Sequence, residues 1–363
     1  MKPFSISSCC ALFVTLIFVT QAAGGAEMQP PVKIHVSRGT DSVDEAKRLP
    51  PVTQPAALTH DLRDLQEGTT NARIEKLKRK VLADLVSLPG GAYMMGDFGT
   101  LVTEEKLPLT FSTDNKPLHK VTLSSFSISR YKTTFAEYDV FLDANKIPHI
   151  DDDVVPYRNP YVPAGALWQQ AKDYCQWLGK ITGVPFDLPT ESQWEYAARS
   201  GGRNFVFATS DGNLERGRNI DDYYQLKLIS PVSDSKDKWG NTTQVRTYPV
   251  GIFPPNPVGL YDMNHDGYEW MNDWYQADYY KISPQLDPKG PSSGQWKVVR
   301  SAPIGEPVGY YNNNLTRNAW DPTLNVDRRS GRPHVDAVTG EPAPFWAGGF
   351  SWRCVVNSDQ HFK

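Results

Sequence analysis

The sequence predicts an α+β fold in which short strands and a few helices alternate and loops are many. The first observation is composition: 10 Trp, 17 Tyr and 15 Phe are interrupted by 27 Gly and 29 Pro, so aromatic segments are cut short by turn residues. The second is order, because the strand-like runs are not spaced by helices as βαβ units would be. The third is the lack of any internal repeat, which excludes a propeller or a solenoid. At 363 residues the chain can bury a sizeable core.

The elements follow in chain order. Residues 1–26 read as a cleaved signal peptide, with Lys2, an apolar run from Cys10 to Val19, and the small residues Ala22, Ala23, Gly24, Gly25 and Ala26 before Glu27. That run is too short to span a bilayer, and no later segment is apolar enough to do so, so the expected location is periplasmic or secreted. Cys9 and Cys10 precede the apolar run and are badly placed for lipid attachment. Residues 27–69 carry Pro, Val, Ser and charge without a period and read as an extended tether.

Over 70–87 the spacing predicts an amphipathic helix, with Ile74, Leu77, Val81, Leu82, Leu85 and Leu88 inward and Thr70 or Asn71 as cap. Arg73, Lys76, Lys78, Arg79 and Lys80 form its outer face, read as a solvated surface. Pro89, Gly90 and Gly91 end it, and the main domain occupies 88–357. His119 to Ser129 alternates as one half-buried strand, with Val121, Leu123, Phe126 and Ile128 inward. Helices are predicted over 134–145 and 164–182, and a third, capped by Thr190, from Glu191 to Ala198.

A net charge of −3 and no Lys/Arg stripe interleaved with aromatics argue against nucleic acid as a partner. Signal removal leaves Cys175 and Cys354. In an oxidising compartment such a pair reads first as a disulfide, worth about 2–4 kcal/mol, and second as two buried thiols.

Specific strings carry more than periodicity does. Leu88-Pro89-Gly90-Gly91 with Met95-Gly96, then Asp173-Tyr174-Cys175-Gln176-Trp177-Leu178, then Leu188-Pro189-Thr190-Glu191-Ser192-Gln193-Trp194-Glu195-Tyr196-Ala197-Ala198-Arg199 occur in order. Phe253-Pro254-Pro255-Asn256, Gly259-Leu260-Tyr261-Asp262-Met263, Tyr268-Glu269-Trp270, Asp273-Trp274-Tyr275 and Val298-Val299-Arg300 follow. This series, spread over most of the chain, resembles the formylglycine-generating enzyme (sulfatase-modifying factor) family. The resemblance implies a single domain related to C-type lectins, with Cys175 and Cys354 as the family's structural disulfide. It speaks to fold more than to activity, since the chemistry belongs to the site.

The copper oxidases of that family use two cysteine thiolates following an Arg-Gly-Gly-Ser-Trp segment, soft donors suited to Cu(I). Here the segment reads Arg300-Ser301-Ala302-Pro303-Ile304-Gly305, and the cysteine places fall near Glu306 and Tyr311, which cannot hold Cu(I). The iron-dependent branch needs three histidines; His35 and His60 stand alone in the extension, and His119, His149, His265 and His334 show no metal spacing. Copper and iron are therefore not expected, nor is copper-dependent formylglycine generation. Calcium is the expected structural ion, with Asp262 and Glu269 as side-chain ligands and the carbonyls of His265 and Gly267, the alternative being a hydrogen-bonded acidic turn. Asn219 and Ile220 resemble the start of a second calcium site whose acidic part is displaced near Asn241 and Thr242.

Two functions follow from the resemblance. One is a non-catalytic exported protein that binds a protein partner or ligand, such as an immunity or accessory protein of a secreted effector. The other is an oxidoreductase, like the pyoverdine-maturation relative, or a hydrolase, acting through Glu306, Tyr310, Tyr311, Asn313 and Arg317 in the family's cleft, where a carboxylate beside tyrosines can serve as acid or base. The polar insertion over 318–344 is expected to shape specificity.

Overall fold

A computed structural model describes residues 34–149, 158–220, 222, 224–225, 228, 248–302, 313–326, 331–335 and 349–358. The predicted signal peptide, together with Glu306, Tyr310 and Tyr311, lies outside them.

The described part of the segment read as a tether, residues 34–69, is built into the domain. Ser42 caps a short helix, α1 (Val43–Ala46), and α2 follows at Ala56–Asp64. Leu58 and Leu62 on α2, with Leu65 just beyond it, are buried in the main apolar core. Their spacing is a helical stripe of only three residues, hidden in sequence by the surrounding Pro and charge. A helix this short holds its shape through tertiary packing rather than propensity.

Thr69 is the N-cap of α3 (Thr70–Ala83), its side chain accepting from the Ala72 N–H. The helix stops a turn before the predicted boundary, because Leu85–Leu88 leaves it as β1 to pair with β4 (Phe126–Ser129). Lys80, predicted on the solvated face, is buried and donates to Glu137 at 2.9 Å and Asp84 at 2.7 Å. Both anions pull its pKa up against the opposing cost of burial.

The single strand expected over 119–129 is two strands in two sheets. β2 (Gly91–Met95) pairs with β3 (His119–Leu123), and the chain then breaks before β4. The break is pinned at Ser124, whose N–H and hydroxyl both donate to the Asp287 carboxylate. β4 lies in a four-stranded antiparallel sheet of order β1-β4-β10-β5, with β5 at Phe186–Asp187 and β10 at Val355–Val356. A third sheet has the order β8-β7-β6-β9, from β6 (Gly267–Trp274), β7 (Lys297–Ala302), β8 (Asn318–Trp320) and β9 (Phe350–Ser351).

The remaining helices are capped as their sequences require. α4 is one turn, Gly99–Val102. α5 (Phe135–Asn145) begins with a reciprocal capping box between Thr134 and Glu137. α6 (Trp168–Thr182) ends on Gly183, whose φ of 76° suits a residue without a Cβ. α7 (Glu191–Ala198) is capped by Thr190 with Gln193 closing the box. The helices α2, α3, α5 and α6 share one core with Trp270 and Trp352, while α7 packs with β2, β3 and β4 around Trp194. A disulfide joins Cys175 on α6 to Cys354 beside β10, across 179 residues of sequence. Among the described residues no helix is long and apolar enough to cross a membrane.

Candidate functional site

Two buried charge clusters flank β6. The first is organised by α7, on which Glu191, Glu195 and Arg199 recur every fourth residue and so share one face. Arg317 donates to Glu191 through Nε at 2.7 Å and Nη2 at 2.9 Å. Arg300 then bridges Glu191 at 2.8 Å and Glu195 at 3.0 Å, and Arg199 closes on Glu195 at 2.9 Å. Cation and anion alternate along a five-membered ladder whose members are all buried. Burial opposes ionisation of Glu191, but Arg317 and Arg300 together hold its carboxyl below the usual range. Asp273 on β6 accepts the Glu191 N–H at 3.0 Å, and its pKa is pushed up to about 7 by burial and then by the neighbouring Glu191 charge.

The second cluster is the loop leading into β6. Asp262 and Asp266 at φ 59° and Gly267 at φ 98° turn the chain left-handed. The carbonyls of His265, Asp266 and Gly267 all receive the Lys132 ammonium, at 2.6, 3.0 and 2.7 Å. Lys132 comes from the connection between β4 and α5 and is fully buried. Glu269 faces Arg353, accepting from its Nε at 2.7 Å and its Nη2 at 3.0 Å. Asp262 accepts the Gly251 N–H at 2.8 Å, and burial pushes its pKa up to about 6. Burial holds His265 well below its ordinary value, so the ring is neutral and packs between Tyr248 and Phe253. Trp194 separates the clusters, donating its indole N–H to Glu269 while Arg300 lies over its ring at 5.0 Å.

The residues singled out from sequence divide accordingly. Asp262, His265, Gly267 and Glu269 do converge, yet around a lysine and an arginine from the same chain. Asn219 and Ile220 are engaged in a tight turn: Asn219 accepts from the Glu215 N–H, and the Ile220 carbonyl accepts from the Gly217 N–H. Asn241 and Thr242 lie outside the described residues. Of the cleft candidates, Arg317 is committed to Glu191 and sits 4.3 Å from the Tyr280 ring centroid, and Asn313 is buried, shaping a turn by accepting from the Leu315 N–H. His119 rests against Tyr280, its pKa lowered by burial.

Sequence reasoning missed Lys132, Arg353 and the ladder. The i, i+4, i+8 charges of α7 were a legible signal, whereas nothing local ties Lys132 to a loop 133 residues later. It also missed a clamp in which the Lys297 ammonium lies 3.8 Å from both the Trp168 and Trp274 centroids. Burial lowers the Lys297 pKa to about 8. Beside it, a polar cleft of about 360 Å³ opens between the β3–β4 turn and the start of α7, lined by Ser124, Asp187, Thr190, Gln193, Asn272 and Asp287.

An α+β domain of short strands whose loops are held by a disulfide and buried ion pairs is what the geometry defines. Residues 70–302 match the sulfatase-modifying factor enzyme 1-like domain, and the chain belongs to that family. It is 26% identical to the formylglycine-generating enzyme of Mus musculus over 60% of this chain and 65% of that protein. It is 28% identical to the serine/threonine-protein kinase pkn1 of Chlamydia pneumoniae over 62% of this chain and 34% of the kinase. The chain thus spans between about a third and two thirds of the length of these relatives. The structure of PvdO from Pseudomonas aeruginosa superposes with a TM-score of 0.51 at 24% identity, covering 75% of this chain and 93% of PvdO, a likeness of fold.

Proposed function

We propose that this chain is an exported, non-catalytic member of the family that binds a protein partner in the periplasm or outside the cell. One observation carries the reading: the domain's two cysteines are bound to each other, and the other two, Cys9 and Cys10, lie in the predicted signal peptide. A site for Cu(I) needs soft thiolate donors, and the mature domain offers none. The cleft residues Arg317 and Asn313 are likewise consumed in holding the fold, by Glu191 and by the turn at 313–316. Supporting a binding role, the loop around α4 leaves Leu101, Leu107 and Phe111 exposed, the last by 83%.

Two measurements test it. Mature protein loaded with copper is expected to leave a cysteine-bearing peptide unoxidised, and aldehyde formation overturns the non-catalytic assignment. Affinity capture from a periplasmic extract of the native host is expected to recover one stoichiometric protein, and recovery of none overturns the binding assignment.

A further inference from the structure

We propose that the Lys132 ammonium is the resident cation of the 262–269 loop, supplying from within the chain the positive charge that a divalent ion would supply there. The chemistry of the donor set carries this. Three successive main-chain carbonyls converge on one nitrogen, and three acceptors need three N–H bonds, which only the protonated form of lysine has. A backbone loop that turns consecutive carbonyls inward is the kind of cradle that otherwise binds a hard cation.

The same donors do not fit calcium. Calcium takes roughly 6–8 oxygens at about 2.3–2.6 Å. Glu269 has both oxygens engaged, Oε2 by Arg353 and Trp194 and Oε1 by Arg353. Asp262 Oδ2 already accepts from Gly251, so that of the Asp262 and Glu269 carboxylates only Asp262 Oδ1 is left without a hydrogen bond. Burial opposes the Lys132 charge, whereas Glu269, Asp266 and Asp262 favour it against Arg353. Among the described residues no group of three or more His, Cys, Asp or Glu is arranged to hold a metal.

The lysine is also delivered by fixed backbone. Arg130 N–H donates to the Asp84 carbonyl at 2.8 Å and Thr133 N–H to the Trp352 carbonyl at 2.9 Å, pinning the chain on both sides. A crystal structure grown in calcium and recorded for its anomalous signal reads this loop directly. Expected is the lysine nitrogen seated on the three carbonyls with no calcium peak within the loop; a coordinated calcium there, with Lys132 displaced, overturns the proposal. Thermal unfolding of Lys132→Ala in chelator is expected to fall by about 10 °C relative to the parent protein. An unchanged midpoint overturns the proposal too, and should the variant not fold, the crystal of the unaltered protein decides.

Discussion

The two charge clusters beside β6 solve the same problem differently. In the α7 ladder, side chains neutralise side chains: each interior member has an opposite charge on both sides, with Glu191 and Glu195 on α7 and Arg300 on β7. In the 262–269 loop, a side chain neutralises backbone, because the Lys132 charge is spread over three carbonyl dipoles while Glu269 is served separately by Arg353. Removing Glu191 leaves Arg317 without its carboxylate and Arg300 with Glu195 alone, whereas removing Glu269 leaves Arg353 without its carboxylate. Breaking a buried pair is costly mainly through the partner left behind.

The sharpest way to break the comparison is to truncate one anion in each cluster. Glu191→Ala leaves Arg317 without its carboxylate and Arg300 with Glu195 alone, and is expected to cost about 5 kcal/mol, against about 3 kcal/mol for Glu269→Ala, read from urea denaturation. Equal losses would show that the ladder behaves as independent pairs.

A smaller effect follows from Asp273. Its folded pKa of about 7 stands above its ordinary 3.8, so the folded state binds the extra proton between those values and stability falls as pH rises through that window. Asp273→Asn is expected to flatten that slope and to stabilise the protein at pH 8 by roughly 1–3 kcal/mol, with little change at pH 4. A slope that persists in the variant places the responsible proton elsewhere, with Asp262 the next group to examine.

The smallest effect expected is at the cap of α7. Thr190→Ala removes the acceptor for the Gln193 N–H and is expected to cost about 1 kcal/mol in the same denaturation experiment. A loss as large as that of Glu191→Ala would mean that the cap, rather than the ion pairs, registers the ladder.

How much of this was legible depends on range. The helices α5 and α7 were readable because their caps and apolar spacing are local, and the Thr190 cap and Glu191–Ala198 helix stand where the sequence places them, whereas α6 starts at Trp168 instead of the predicted 164. Leu85–Leu88 was misassigned because its apolar residues also fit a helical period, and only its pairing partner, forty residues away, makes it a strand. Within the stretch read as a tether, the α2 region was misread because composition averages over residues, whereas Leu58, Leu62 and Leu65 act as three individual contacts. In the candidate site, the loop at 262–269 was singled out for calcium, and its carbonyls accept from Lys132, far back in the sequence. No local pattern encodes such a pairing.

One further consequence lies in β10. Val355 and Val356 fill the interior of the first sheet, between β4 and β5, so the edge of β4 stays unpaired until chain more than two hundred residues downstream has emerged. Contacts that distant make for slow folding, and an open strand edge invites aggregation meanwhile.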